Sequence, residues 1–276
     1  MPKLKVKNNT ILQAIADEAI LSAVLNLPRE YLLAHPEIKI SAATTRKIKT
    51  MQKRVLEGEP LAYVIGEKWF CGAKFAVNKS VLIPRPETEL LIDLALEKFR
   101  LIRPAKLFDI GTGSGAIAVT LARSTGKEIT AIDISKPALA VATRNAKILL
   151  EKKAGLVKFV HSDLLKKIDA IPNRSLICAN LPYLSMRELS EPTIRYEPKI
   201  ALLGSYKNKA ASASIICELL EQIAAKRKGS IEIILEMNYN QSKIVTKKAR
   251  QLFPDSEIAT HKDYSKFDRI VTVSVR

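Results

Sequence analysis

Cysteine is scarce in this sequence of 276 residues, which holds only Cys71, Cys178 and Cys217 and no C-x-x-C pair. This spacing excludes a disulfide-stabilised scaffold and a zinc site of the usual kind. The three histidines are also isolated, so we predict no metal site. No apolar run reaches the length of about 18 residues that suggests a membrane span, and the amino terminus lacks the pattern of a signal peptide. We therefore expect a reduced, soluble, cytoplasmic protein with no membrane contact.

Acidic residues are also few relative to basic ones. The chain has 28 Asp and Glu against 45 Lys and Arg, which gives a formal net charge of +17. The excess is spread along the chain and does not form a basic tail. A field of this sign favours approach to nucleic acid, ribosomes or acidic proteins. A Lys-rich composition of the whole proteome would give the same excess, so the charge does not choose a function.

Two regions of the chain differ in their hydrophobic periodicity. Residues 10–57 have apolar groups near helical spacing, and Ser41 is placed to cap a second long helix. Residues 58–83 are rich in Val, Ile, Tyr and Phe with Gly and Pro between them, which predicts short strands in a hairpin. We place the domain boundary near residue 80, so that residues 1–80 form a small N-terminal helical domain with a connecting β-hairpin.

Strand and helix patterns alternate through residues 81–276. Six segments read as strands, namely 106–110, 128–133, 156–163, 174–182, 229–237 and 269–275. The segments between them read as helices, and one of these has Pro137 in its first turn. Such alternation predicts an α/β domain of βαβ units, with a parallel sheet covered by helices on both faces.

The strongest local motif is a glycine-rich loop directly after the first of these strands. The strand ends at Asp109, and Gly111, Gly113 and Gly115 then precede a helix. Glycines at alternate positions let the backbone turn sharply and approach a ligand in front of a helix N-terminus. Asp133 ends the next strand, where an acidic side chain can accept hydrogen bonds from ribose hydroxyls. Together these features predict a nucleotide-like cofactor.

The residues of the loop leave two cofactors open. Gly111, Gly113 and Ala116 formally satisfy the dinucleotide fingerprint G-x-G-x-x-G/A. The carboxylate of Asp109, however, would repel a pyrophosphate and would attract a ligand that carries an ammonium and a sulfonium. This charge argument favours S-adenosylmethionine.

A second motif, Asn180-Leu181-Pro182-Tyr183, follows the apolar strand SLICA. The Asn180 side chain and the backbone carbonyl of residue 181 offer two acceptors, and Tyr183 offers a stacking wall. Two convergent acceptors suit a planar –NH2 group, whose lone pair they would aim at a methyl donor. We therefore predict an amide or an exocyclic amine as the methyl acceptor.

Three stretches of the chain resemble one known family. They are GEPLAYVIGEKWF with VLIPRPETELL, DIGTGSGAIA with AIDIS, and ANLPYL with RYEPKIALLG. The chain thereby resembles the protein-(glutamine-N5) methyltransferases that modify peptide-chain release factors, the PrmC/HemK family. The heptapeptide IPRPETE (83–89) is the most diagnostic part, and the resemblance covers essentially the whole chain in the expected order.

The resemblance implies a seven-stranded Rossmann-like S-adenosylmethionine-dependent methyltransferase domain over residues 81–276. It implies methyl transfer to the glutamine N5 of the Gly-Gly-Gln motif in a release factor, with S-adenosylhomocysteine as the other product and a monomeric enzyme. Together with the motifs above, it gives these candidate cofactor-binding residues: Asp109, Gly111, Thr112, Gly113, Ser114, Gly115, Asp133, Leu164 and Asn180. The candidate substrate-binding residues are Pro84, Arg85, Pro86, Asn180, Leu181, Pro182 and Tyr183, of which Asn180 and Tyr183 are the catalytic candidates.

Several positions depart from the family pattern and keep two alternatives open. The family tetrapeptide is usually NPPY, and Leu181 replaces its first proline; segments 205–212, 235–238 and 265–267 also differ. NLPY is the form found in ribosomal RNA adenine-N6 dimethyltransferases, so an RNA or DNA amino methyltransferase is the first alternative, although IPRPETE does not favour it. The second alternative is a catalytically impaired binding module of the same fold.

Overall fold

The computed structural model of the chain describes residues 3–184, 194–203 and 213–276, and the side chains from residue 13 onward. The departing segment 205–212 therefore lies outside the described residues. The chain forms two compact units, Met1–Glu67 and Lys68–Arg276. By this division all but the first residue of the hairpin belongs to the second unit, whereas the boundary near residue 80 grouped the hairpin with the first.

The first unit is helical, as its periodicity predicts. Its described helices are α1 (Lys3–Leu25), α2 (Arg29–Ala34), α3 (Ala42–Leu56) and α4 (Leu61–Ile65). Ser41 caps α3 by accepting a hydrogen bond from the Thr44 backbone N–H at 3.1 Å. The prediction of strands was wrong for α4, because Pro60 precedes a single helical turn that ends at Gly66, whose φ is +89°. Ile20, Met51 and Val64 form the core of the unit.

The second unit begins with a short hairpin and continues with alternating strands and helices. Its strands are β1 (Glu67–Phe70), β2 (Ala73–Ala76), β3 (Lys106–Ile110), β4 (Ile129–Asp133), β5 (Val157–His161), β6 (Ser175–Asn180), β7 (Ile231–Glu236), β8 (Glu257–Lys262) and β9 (Asp268–Val275). Its helices are α5 (Thr88–Ile102), α6 (Ala116–Thr125), α7 (Lys136–Leu150), α8 (Ser214–Lys226) and α9 (Ser242–Leu252).

Seven strands form one sheet in the order β5-β4-β3-β6-β7-β9-β8. Strands β3 to β7 run parallel, and β9 runs antiparallel to both β7 and β8. This confirms the predicted seven-stranded Rossmann-like fold, but the sheet is mixed: the prediction of a parallel sheet was wrong for β9 (269–275). The strand pattern in the sequence had not indicated β8, whose side chains are mostly exposed.

Helices cover both faces of the sheet. Leu107 faces a core that includes residues of α5, α6 and α7, whereas the next residue, Phe108, faces a core that includes residues of α8 and α9. This alternation follows from the period of two in a strand. None of the helices in the described ranges is long and apolar enough to cross a membrane.

Candidate active site

A cavity of about 440 Å³ opens beyond the carboxyl ends of β3, β4 and β6. The strand order runs one way from β3 to β5 and the other way from β6, so the cavity lies at the switch point where α/β proteins bind ligands. Eleven of the candidate residues line it, namely Pro84, Arg85, Gly111, Thr112, Gly113, Ser114, Asp133, Leu164, Asn180, Leu181 and Pro182. The structure thus brings the glycine-rich loop and the tetrapeptide to one site.

The glycine-rich loop has the backbone conformation that its composition predicts. Gly111, Gly113 and Gly115 all have positive φ values, of +75°, +55° and +80°. Gly115 does not line the cavity; a Cβ there would lie 3.1 Å from the Cβ of Ala142, so this glycine allows α6 to approach α7. The backbone N–H groups of Gly111 and Thr112 both donate to the Ile132 carbonyl, at 2.8 and 2.9 Å, which ties the loop to the end of β4.

Asp109 lies beneath the loop and is not part of the cavity wall. Its Oδ2 accepts hydrogen bonds from the Thr112 hydroxyl at 2.6 Å and from the Ala118 backbone N–H at 3.0 Å. Its Oδ1 has no hydrogen-bond partner among the described residues. Complete burial raises the pKa of Asp109 to about 7. The side chain therefore joins the loop to the first turn of α6.

Asp133 lines the cavity at the end of β4. Its Oδ2 accepts a hydrogen bond from the Gly113 backbone N–H and its Oδ1 from the Ser135 backbone N–H, both at 2.8 Å. Burial raises the pKa of Asp133, while these backbone donors act in the opposite direction. Each carboxylate oxygen can accept a second hydrogen bond, so the acid is oriented and can still receive ligand hydroxyls.

Leu164 forms part of the wall of the cavity that also contains Asp133. It has a φ of +46°, which is unusual for a residue other than glycine, and it is largely buried. The Ser162 backbone N–H donates to the Asp133 carbonyl at 3.1 Å, and the Leu165 backbone N–H donates to Gln222 Oε1 at 2.9 Å. These two hydrogen bonds fix the backbone on either side of Leu164, so that its apolar side chain lines the cavity near Asp133.

The tetrapeptide begins where β6 ends. The Asn180 side-chain Nδ2 donates to the Thr88 hydroxyl at 3.0 Å, which leaves its Oδ1 as an acceptor. Leu181 is buried, and Pro182 lines the same cavity. Tyr183 lies in the wall of an adjoining pocket of about 230 Å³, which also includes Asn180 and Arg85. Burial raises the pKa of the Tyr183 hydroxyl to about 12, so the ring is neutral at physiological pH.

The IPRPETE segment forms another wall of the site. Arg85 pairs with Glu197, whose side chain is buried, and the Ile83 backbone N–H donates to Glu197 Oε2 at 3.2 Å. Pro84 and Arg85 line the cavity, whereas Pro86 lines neither the cavity nor the adjoining pocket. Glu197 thus connects this segment to the chain after the tetrapeptide.

Sequence reasoning assigned no role to Thr88, which lines the cavity, or to Glu197 and Glu236, which pair with the lining residues Arg85 and Asn180. Thr88 and Glu197 stand inside the stretches IPRPETE and RYEPK, so the signal was present but gave no function for them. Glu236 ends β7 beside Asn180, with which it pairs in register. The sequence did contain a signal for Glu236, namely an acidic residue in an otherwise apolar strand. Because a carboxylate is seldom buried without a partner, such a residue indicates a functional role.

The residues of the cavity fit S-adenosylmethionine. Asp133 is oriented to receive ribose hydroxyls, and a Cβ on Gly111 would fill space beside the tetrapeptide. Apolar wall residues such as Ile134 and Leu164 suit an adenine ring. The fold and this site define a member of the S-adenosylmethionine-dependent α/β methyltransferases.

Comparisons with known proteins narrow this class. Residues 6–66 match the PrmC N-terminal domain family, and residues 87–192 match the methyltransferase small domain family. The release factor glutamine methyltransferase of Bacillus subtilis is 34% identical over 265 residues, which cover 93% of this chain and 89% of that protein. The chain belongs to the family of release factor glutamine methyltransferases.

Two further matches are also methyltransferases. A bifunctional methyltransferase of Rickettsia bellii is 33% identical over an alignment that covers 97% of this chain, and the chain spans about half, 52%, of its length. A crystal structure of a methyltransferase from Pyrococcus furiosus superposes with a TM-score of 0.51 at 15% identity, over 82% of this chain and 98% of that chain. At this identity the superposition supports the fold alone.

Proposed function

We propose that this protein transfers a methyl group from S-adenosylmethionine to the side-chain amide nitrogen of the glutamine in the Gly-Gly-Gln motif of a peptide-chain release factor. One observation carries the proposal: Asn180, the start of the tetrapeptide, lines the same cavity as the glycine-rich loop and Asp133. An amide acceptor and a methyl donor would therefore meet at a single place.

The cofactor supplies an electrophilic methyl group when it is bound. We propose that Asp133 receives its ribose hydroxyls, that Gly111 to Ser114 surround it with backbone, and that Leu164 covers its adenine. These residues hold their positions through bonds within the protein, such as that from the Gly113 N–H to Asp133. A site fixed in this way binds its ligand without a large ordering cost.

The residues of the tetrapeptide would orient the acceptor amide. Asn180 Oδ1 and the Leu181 carbonyl would accept its two N–H groups, and the neutral ring of Tyr183 would pack against its plane. An amide nitrogen is a weak nucleophile, and no strong base is needed at the start because its proton becomes acidic only as the new bond forms. The rate would come from positioning and from the exclusion of water.

We also propose that the protein acts as a monomer in the cytoplasm, with the release factor as its partner and without a requirement for nucleic acid. The support concerns the partner: release factor glutamine methyltransferases such as that of Bacillus subtilis are similar to this chain over nearly its whole length. Gel filtration at several concentrations tests the oligomeric state, and a dimer at all of them would contradict it.

The decisive assay offers the purified protein tritiated S-adenosylmethionine with three acceptors. These are a release factor, the same release factor with its Gly-Gly-Gln glutamine changed to alanine, and ribosomal RNA. We expect incorporation into the first alone. Incorporation into the RNA would support an RNA amino methyltransferase, and cofactor binding by calorimetry without incorporation would indicate a binding module.

A further inference from the structure

Glu236 occupies an unusual place next to the predicted acceptor site. It pairs in register with Asn180 on the neighbouring parallel strand, so the two side chains point to the same face of the sheet. That face packs against α5, whose first residue is Thr88. Asn180 Nδ2 donates to the Thr88 hydroxyl at 3.0 Å. Thr88, Asn180 and Glu236 therefore form one polar group at the base of the site.

The Glu236 carboxyl is completely buried, and neither of its oxygens has a hydrogen bond of normal geometry among the described residues. The Thr88 hydroxyl and the Asn180 amide face it and partly offset the effect of burial on its pKa. Glu232, four residues earlier on the same face of β7, differs: it pairs with Lys98 at 3.1 Å and accepts a hydrogen bond from Ser274 at 2.6 Å. A buried acid without such partners costs stability.

We propose that Glu236 is a positioning residue for methyl transfer, and that it sets the orientation of the Asn180 amide through the Thr88 hydroxyl. This inference rests on the function proposed above. A carboxylate only accepts hydrogen bonds, so it attracts the hydroxyl hydrogen of Thr88. The Thr88 oxygen then accepts from Asn180 Nδ2, and Asn180 Oδ1 faces the acceptor amide. With the reverse orientation, Asn180 would present donors to another donor.

The charge on Glu236 therefore matters for the orientation. Burial raises its pKa to about 7; Arg269, on β9, lowers it and Glu87, before α5, raises it. Tyr183, after β6, stays neutral because its own pKa is about 12. Below neutral pH the protonated carboxyl can itself donate to Thr88, which removes the preference for one orientation. We expect kcat to rise with pH through an ionisation near neutrality.

Glu236→Gln tests the proposal, with Glu232→Gln as the matched control on the same strand and face. We expect Glu236→Gln to lower kcat on the release factor about 10- to 100-fold, with an unchanged Kd for S-adenosylmethionine. A loss of this size follows when residues that orient metal ligands by hydrogen bonds are removed from metalloenzymes. The kcat of Glu236→Gln should also lose the rise near neutral pH. Glu232→Gln should keep the wild-type kcat and pH profile. A wild-type kcat and pH profile in Glu236→Gln would overturn the proposal.

Thr88 provides the second arm of the test. Thr88→Val should lower kcat as much as Glu236→Gln does. Thr88→Ser should have nearly the wild-type kcat because it keeps the hydroxyl. The double variant Thr88→Val with Glu236→Gln should be no slower than either single variant. If the kcat losses of the two single variants multiply in the double variant, Glu236 does not act through Thr88, and the proposal is contradicted. Glu236→Gln should at the same time resist unfolding better than wild type at pH above about 7, because it removes a buried charge. A structural role alone would lower stability and activity together.

These measurements also separate the inference from the function on which it rests. If the wild-type protein does not methylate the release factor, the proposed function fails. The contact between Thr88 and Glu236 is then tested by unfolding midpoints of the two single variants and the double variant. Non-additive midpoints would support the polar group, and additive ones would contradict it.

Discussion

Gly111 and Leu181 are in direct contact, and this contact joins the glycine-rich loop to the tetrapeptide. A Cβ on Gly111 would lie 2.8 Å from Leu181 Cδ2, closer than carbon atoms can pack. Leu181 is itself buried, with 4% of its surface exposed. The residue that departs from the family pattern therefore fills the space beside the loop with its side chain.

Gly111→Ala tests this contact. The φ of +75° disfavours alanine, and its Cβ would push either the loop or Leu181 out of place, so we expect the affinity for S-adenosylmethionine to fall at least about tenfold. Gly126→Ala is the matched control, because Gly126 also has a positive φ, +66°, but open space around its Cβ position. It should keep normal affinity by calorimetry. Adding Leu181→Ala to Gly111→Ala should restore part of the affinity, and no recovery would contradict the contact.

Leu181→Pro tests whether position 181 acts through its carbonyl alone. We expect the variant to keep its kcat/KM on the release factor, since proline retains the carbonyl and stiffens the chain. Leu181→Ala should also keep activity, but because the side chain is buried we expect a stability loss of roughly 2–5 kcal/mol.

Steady-state kinetics and denaturant unfolding of both variants provide the measurement. A large drop in kcat/KM for Leu181→Pro would show that the leucine side chain, and not only the carbonyl, serves the reaction. If instead Leu181→Pro methylates RNA more slowly than wild type does, and the release factor is a poor substrate for both proteins, the Leu181 side chain helps to form a pocket for a nucleic-acid base.

Asp133→Ala should weaken the binding of S-adenosylmethionine by about 1–3 kcal/mol, because ribose hydroxyls would lose their acceptor in a partly desolvated site. The same change also removes the acceptor of the Gly113 and Ser135 backbone N–H groups, which donate to Asp133 in the wild-type protein. Titration calorimetry of this variant beside Asp255→Ala, which changes an exposed aspartate, measures the effect. Equal affinity in the two variants would remove Asp133 from the cofactor site.

Asp109 predicts a pH dependence of stability. Its pKa rises from an ordinary value of 3.8 to about 7 in the folded protein because it is buried. The folded state therefore binds the proton more tightly than the unfolded state, and this contribution to stability is complete below pH 4 and disappears as the pH rises through 7. Asp109→Asn keeps an acceptor for Thr112 and Ala118 without the charge. Wild type should thus lose stability relative to Asp109→Asn between pH 4 and 8 in urea unfolding; a constant difference would contradict the buried charge.

The sequence predicted those parts of the molecule that depend on local pattern. Helix α3 began at its Ser41 cap, and the loop glycines adopted positive φ values. Strand β8 was missed because it lies at the edge of the sheet, where Thr260, His261 and Lys262 contact solvent and leave no apolar alternation. Helix α4 was misread because its Tyr, Val and Ile residues favour strands.

Tertiary proximity was the part that a single sequence could not supply. Asp109 had the right residue type for a cationic ligand, but the fold turned its carboxylate toward Thr112 and Ala118. Thr88 and Asn180 are 92 residues apart, and no local pattern indicates their hydrogen bond. Glu236 joins them only because β7 is the neighbour of β6.

The most direct test of the account is the position of the methyl group on a release factor treated with wild type and with Asn180→Ala. Peptide mapping by mass spectrometry should find one added methyl on the Gly-Gly-Gln glutamine after treatment with wild type. Asn180→Ala should be folded by circular dichroism and slower by roughly 10²- to 10³-fold, the usual effect of removing one group that orients the reacting atoms. A methyl on any other residue, or near wild-type turnover by Asn180→Ala, would contradict the account.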